Sequence, residues 1–373
     1  MKILIEMGLG DSLIDCLVRP LIRLEYVHEV LIVQNWTGPS LPKVQYYCPP
    51  RFITRLPTHA TLYKMFILIY LALFKRPDFI HSFILFPHGI MAFIAGKLSG
   101  KSVGITLNAG PSELYGVGGV TGVNYTLPLP WFGKIFLWIL KHCDTIVAIN
   151  SFTKEFLVSH GVNIGRIHIM PQPVDTDRFQ PMDIPKKYDV ISVGRLAPVK
   201  HTEVLLEATA MARQLYPGIR VGIVGDGPSR TLLEKLAEEL GISDNVEFVG
   251  YKENVEYYYN SAKVFVLTSE REAGPLALTE AMACGIQVIS SKCGIVPDIG
   301  QDGFNCVIIE NYNNSTAFSE AIVSLLNDKE LYYKLSENAL QTARNITIDS
   351  ATDTWKSIFE QCSIPKIRDK SQR

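Results

Sequence analysis

An α/β fold made of two Rossmann-like halves, each carrying a parallel sheet, is what the sequence predicts. Three observations lead there: short apolar runs alternating with helix-like stretches, a polar proline-bearing join near mid-chain, and enough apolar residues for two cores. The runs at residues 3–5, 30–33, 79–81, 102–107 and 144–150 form one series, and those at 189–193, 220–224 and 264–267 a second. Runs so short and so continuously apolar fit strands covered on both faces, as parallel sheets require. The join spans 170–185 and holds Pro171, Pro173, Pro181 and Pro185. It splits the chain near Pro181 into a first domain at 1–180, a second at 181–345 and a last segment at 346–373. At 373 residues, 47% apolar and 20% charged, the chain can bury both cores. Ligand is then expected in the crevice between the halves, at the carboxyl ends of the strands.

Net charge is only −1, which argues against a nucleic-acid binder. Its distribution is uneven: 16 Lys and Arg face 11 Asp and Glu in residues 1–180, and 20 face 26 beyond them. Between Glu29 and Glu113 stands one acid, Asp78, against eight cations: Lys43, Arg51, Arg55, Lys64, Lys75, Arg76, Lys97 and Lys101. Aromatic residues interleave with them (Tyr63, Phe66, Tyr70, Phe74), and the stretch 131–142 repeats the theme with Trp131 and Trp138. Such segments suit an anionic membrane surface, or equally buried helices with snorkelling lysines. The longest unbroken apolar run, 65–74, is half what a spanning helix needs, so attachment is expected and not spanning. Seven cysteines without paired metal spacing, and an opening interrupted by Glu6, point to a cytoplasmic chain without a signal peptide. A single histidine beyond His168, namely His201, argues against a histidine-built metal site in the second half.

The chemistry concentrates around two glutamates eight positions apart. Glu272 precedes, and Glu280 follows, the expected helix start at Gly274, Pro275 and Leu276. Pro275 suits the first helical turn, where free amides and the macrodipole favour an anion. Glu280 lies roughly 7 Å further along the axis at about 1.5 Å per residue, so the two carboxylates can reach different parts of one extended molecule. A nucleotide sugar is such a molecule, with a diol at each end and a diphosphate between. Both glutamates as exposed helix-cap acids is the plain alternative. Upstream, the strand-turn-helix signal at 188–201 carries Arg195, a planar fork, and Lys200, a mobile charge, which together could hold a diphosphate. Val224-Gly-Asp-Gly-Pro228 and Asn245-Val-Glu-Phe-Val-Gly-Tyr251 follow, then the paired glutamates, then Ala283-Cys-Gly and Pro297.

In this order and spacing, residues from about 190 to 305 resemble the donor-binding half of retaining glycosyltransferases of family 4, which have the two-domain GT-B fold. The resemblance implies that Glu280 holds ribose hydroxyls, Glu272 the donor sugar, and Arg195 with Lys200 the diphosphate. It implies that the backbone around Tyr251 frames the base, that the last helix (351–361) packs on the first domain, and that no metal or other cofactor is needed. Asp175-Thr-Asp177, spaced like a metal-binding pair, is similar to a structural run at the family's interdomain connection. The nucleotide sugar is thus a substrate, and a glycan or lipid-linked hydroxyl the acceptor. Retention of configuration is carried over from the family; no carboxylate is assigned as a nucleophile, and the departing phosphate can serve as the base.

The first domain carries fewer such signals. Gly8-Leu-Gly10 follows the first strand, and the Gly10 backbone could meet the diphosphate. Asp78-Phe-Ile-His81 resembles the family's Asp-x-x-His segment. His81 and Asn108 are candidates for orienting sugar or acceptor, with His81 alternatively a hydrogen-bonded residue at a sheet end. Many members have histidine at the place of Asn108, and asparagine carries no proton at neutral pH. Ala273-Gly-Pro275 and Gln172-Pro173 depart from the family's Gly-Phe-Gly and Asn-Gly. The glycine-rich loop at 116–122 could close over the acceptor, or be a plain surface loop. A non-catalytic nucleotide-binding subunit and a sugar-nucleotide epimerase stay open as alternatives.

Overall fold

The computed structural model describes residues 1–115 and 127–362; the glycine-rich loop at 116–122 falls outside them. Two compact units emerge, Met1–Pro173 together with the chain from Ile348 onward, and Val174–Thr347. The division falls at Val174 and not at 181, because Val174 and Phe179 are buried in the second unit's core and Val174 N donates to Ile346 O at 2.8 Å. The carboxyl-terminal boundary lies at Ile348 rather than 346.

The first unit holds a seven-stranded parallel sheet of β1 (Lys2–Glu6), β2 (Glu29–Val33), β3 (Val44–Tyr47), β4 (Phe79–Ser82), β5 (Ser102–Leu107), β6 (Thr145–Ala148) and β7 (Ile167–Ile169). Their order is β3-β2-β1-β4-β5-β6-β7. The edge strands β3 and β7 were not expected from the sequence; both are short and half-exposed, so neither shows an unbroken apolar run. Right-handed crossovers decide which face each helix covers. The helices Pro57–Phe74, Ile90–Ser99 and Trp131–His142 lead from β3 to β4, β4 to β5 and β5 to β6, all stepping the same way, so all three cover one face. Asp11–Arg23 steps the other way, from β1 to β2, and packs with Ile348–Gln361 on the opposite face. Trp355 from that last helix is fully buried among Phe79, Phe83 and Phe359.

The second unit holds six parallel strands: β8 (Tyr188–Val193), β9 (Val221–Val224), β10 (Val246–Gly250), β11 (Ala262–Leu267), β12 (Gln287–Ser291) and β13 (Val307–Ile309). Their order is β10-β9-β8-β11-β12-β13. Cores lie on both faces, one around Phe265, Leu278 and Val288 and one around Val190, Leu205 and Phe318. Each such fully buried side chain stabilises by about 1.5–3 kcal/mol, which is why continuous apolar runs marked these strands. In both units the strand order reverses once, between β1 and β4 and between β8 and β11. At such a reversal neighbouring loops leave in opposite directions and open a crevice at the strands' carboxyl ends.

Candidate nucleotide-sugar site

The second unit's crevice is lined from the β8 and β11 ends. After Val193 the chain passes Gly194 and Arg195, makes a tight turn at Pro198–Lys200, and enters the helix Thr202–Leu215. This loop rests on the Gly-Asp-Gly turn after β9. Gly194 N donates to Val224 O at 2.9 Å, and Leu196 N to Asp226 O at 3.0 Å. A Cβ on Gly225 would stand 1.9 Å from the Gly194 carbonyl oxygen, and one on Gly227 2.3 Å from that of Leu196. The two glycines thus let two backbones approach and hold Arg195 at the rim. From the β11 side, Thr268 Oγ1 donates to Lys200 O at 2.9 Å and Glu270 N to Val199 O at 3.0 Å.

A small cavity between these loops is lined by Val193, Gly194, Arg195, Lys200, Thr268 and Ser269. Lys200 Nζ forms an ion pair with Glu272 Oε1, which also accepts from Ser269 Oγ at 3.0 Å. These two side chains, expected to serve different parts of a ligand, therefore hold each other, with Ser269 as a third partner that the sequence did not flag. Arg195 is exposed and makes no ion pair among the described residues. Its fork is therefore free to accept an anion.

Glu280 is held elsewhere. It lies one turn into the helix Leu276–Ala283, and its Oε2 accepts from Tyr259 Oη at 2.8 Å. Surrounding protein pushes its carboxyl up to about 7, while the Tyr259 hydrogen bond and nearby Arg178 pull it back. It does not line the cavity beside Arg195. The structure thus joins Arg195, Lys200 and Glu272, and holds Glu280 apart from them through its hydrogen bond with Tyr259. Neither Tyr259 nor Arg178 was legible as a partner, because their contacts come from remote segments.

Pro275 is the residue before the helix and not part of its first turn; its carbonyl accepts from Leu278 N at 3.0 Å. The helix opens at Leu276 without a side-chain cap, so its first amides stay available to an anion. Gly274 and Leu276 are half-buried beside it. Tyr251 follows Gly250, whose φ of +78 turns the chain at the end of β10, and its ring is 73% exposed. Asp177 N donates to Asp175 Oδ1 at 3.1 Å, a local turn bond.

In the first unit, Gly10 is the exposed residue before the helix Asp11–Arg23, with open space where a Cβ would stand. His81 does not face a ligand. It lies in the middle of the sheet, fully buried, with Nε2 2.9 Å from Thr106 Oγ1 and its ring packed on Phe79, Phe83 and Trp355. Burial drives its imidazole down to about 3, so the acceptor-orienting role is withdrawn: continuous packing leaves no path to a substrate. Asn108 donates from Nδ2 to Phe83 O at 2.6 Å and accepts from Gln172 Nε2 at 3.1 Å. Two departures from the family pattern therefore bond to one another. Glu113, not singled out in the sequence, is buried, accepts from Leu85 N and Ala109 N, and is pushed up to about 7 by burial.

The raised carboxyl of Glu280 makes the stability of the chain depend on pH. Its folded value near 7 exceeds the ordinary carboxyl value of 4.5, so the folded state binds the extra proton between these limits. This contribution favours folding below pH 4.5 and is lost as pH rises through about 7. Glu280→Gln is expected to match the parent chain near pH 4.5 and to be more stable at pH 8, by up to about 3 kcal/mol. Urea unfolding at both pH values measures this.

Two family models cover most of the chain: "Glycosyltransferase Family 4" matches residues 17–178 and "Glycosyl transferases group 1" residues 174–342. The chain belongs to these glycosyltransferases. One component of the human phosphatidylinositol N-acetylglucosaminyltransferase is 27% identical over 91% of this chain and 69% of its own length. An uncharacterized glycosyltransferase of Haemophilus influenzae is 30% identical over 46% of this chain and 48% of its own. This family member spans between about a quarter and two thirds of the length of the first curated relatives. Among solved structures, Anabaena Alr3699/HepE in complex with UDP superposes with a TM-score of 0.77 at 15% identity, covering 96% of this chain and all of that one. Sucrose-phosphate synthase of Thermosynechococcus elongatus gives 0.75 at 19% identity, covering 97% of this chain and 99% of that one. Likeness at these identities establishes the GT-B fold of this family member.

Proposed function

We propose that the chain transfers a glycosyl unit from a nucleoside diphosphate sugar to a hydroxyl acceptor, with retention of configuration and without a metal cofactor. The observation that carries this is the Arg195 fork at the rim of the crevice, without an ion-pair partner among the described residues and next to Lys200, Glu272 and Ser269. Arg195 and Lys200 supply positive charge where the departing diphosphate gathers negative charge. Glu272 meets the donor sugar, and Glu280 the ribose. A uridine diphosphate donor is favoured, because structural neighbours were crystallised with UDP and UDP-glucose. The acceptor is proposed to be lipid-linked, as the names of the phosphatidylinositol-directed relatives suggest. A thermal-shift screen of UDP-, GDP- and ADP-sugars tests the donor. A ligand at 100 times its Kd adds about 2.7 kcal/mol, and UDP-sugars are expected to give the largest shift. Binding without turnover in the presence of lipid extract would favour a non-catalytic role instead.

The same reading includes attachment to a cytoplasmic membrane face. The helix Pro57–Phe74 is 18 residues long and apolar enough by composition to cross a bilayer. However, Ala60, Lys64, Leu68, Leu71 and Ala72 are buried on one side of it, in the unit's interior. Its other side exposes Leu62, Phe66, Tyr70 and Phe74 at helical spacing. On the same face of the sheet, Trp131–His142 exposes Trp131, Ile135 and Trp138. The helices Pro57–Phe74, Ile90–Ser99 and Trp131–His142 contain no acid, while Lys97, Lys134 and Lys141 are exposed on them and Lys75 and Arg76 follow the first; Ser151–Ser159, which steps the same way from β6 to β7, adds one exposed acid, Glu155. This pattern suits an anionic bilayer surface. Sedimentation with phosphatidylglycerol vesicles is expected to carry the chain down, less so at high salt. Phe66→Glu with Phe74→Glu is expected to weaken binding at least about tenfold.

A further inference from the structure

We propose that His88 is the first unit's acceptor-binding residue, presenting its Nε2 lone pair to the acceptor hydroxyl. The inference rests on the transferase reading above. His88 belongs to a charged cluster at the reversal point of the first sheet, where β1 and β4 are neighbours. Glu6, the last residue of β1, has no exposed surface, and its two oxygens are divided between two partners. Lys64 Nζ stands 3.1 Å from Oε1, itself only 3% exposed. His88 Nδ1 meets Oε2.

One lysine balances one glutamate, so the ion pair alone has no need of an imidazole. What the Glu6 bond does for His88 is fix the ring. An ionised carboxylate accepts only, so Nδ1 carries the hydrogen and Nε2 of the neutral ring carries the lone pair. Nε2 has no hydrogen-bond partner among the described residues, and 12% of the side chain reaches solvent. Glu6 from β1 and, through it, Lys64 from the helix Pro57–Phe74 are the charged groups that face the ring. The ring edge lies against Gly8 in the loop after β1, where a Cβ would stand 2.8 Å from Cε1 and 2.9 Å from Nε2. Gly8 is thus the residue that leaves Nε2 room beside the crevice. Asn108, the other polar candidate of this unit, has both ends of its amide engaged. His88 accepts the hydrogen bond of the acceptor hydroxyl and orients its oxygen; the proton goes to the departing phosphate when the new bond forms.

Two measurements on the full chain test this. In nitrogen NMR of histidine-labelled protein, with His88→Asn identifying the signal, the ring is expected to be protonated at Nδ1 alone near pH 7.5, and to lose that preference in Glu6→Gln. A ring protonated at Nε2 overturns the proposal. In kinetics with a UDP-sugar and phosphatidylinositol vesicles, His88→Phe is expected to raise the acceptor KM by about 10- to 100-fold. Its donor-induced thermal shift stays as in the parent chain, and His88→Asn recovers part of the loss. Unchanged transfer by His88→Phe, or a parallel loss of donor binding, overturns it. A parent chain that binds no nucleotide sugar at all removes the transferase reading itself, an outcome distinct from either.

Discussion

Arg195→Ala is expected to lower kcat about 10²–10³-fold, or about 2.7–4 kcal/mol of transition-state stabilisation, while leaving the unfolding temperature unchanged. The asymmetry follows from its surroundings. Arg195 is exposed and makes no ion pair among the described residues, so its removal strands no partner. Lys200→Ala differs, because it also leaves Glu272 without its cation. Single-turnover release of nucleoside diphosphate, measured beside thermal unfolding, separates the two. Equal kcat in Arg195→Ala and the parent chain would remove this residue from the chemistry.

Lys64→Ala is expected to destabilise the first unit by about 3–5 kcal/mol, since it leaves the Glu6 carboxylate buried with only His88. The double change Glu6→Gln, Lys64→Met is expected to restore most of that loss, because no unpaired charge then remains inside. Urea unfolding of the single and double variants checks both statements. A single variant within about 0.5 kcal/mol of the parent would mean that water reaches the carboxylate.

How far the sequence could be read depended on how local each signal was. Val264 to Leu267 is a strand because four apolar side chains in a row need cover on both faces, and the neighbouring sequence contains everything required to see that. The Gly-Asp-Gly run after β9 was visible only as a motif, because the backbone that crowds its glycines belongs to Gly194 and Leu196, some thirty positions away. The edge strands β3 and β7 were missed because half their side chains face solvent. His81 was open between two roles, and only the packing of Trp355 from the far end of the chain closed it. Lys64 was one of eight cations, on a membrane-facing or a buried helix, until its partner Glu6, 58 positions away, came into view.

By itself, then, the sequence determined the alternation of strands and helices and the two-unit α/β class, because periodicity and turn chemistry act over a few residues; the family entered through the resemblance of its motif string. The tertiary structure decided which charges meet. Lys200 finds Glu272 across 72 positions, Tyr259 finds Glu280 across 21, and His88 finds Glu6 across 82. Electrostatic pairing depends on distance and burial, and both are set only when parallel strands bring remote loops to the same end of a sheet.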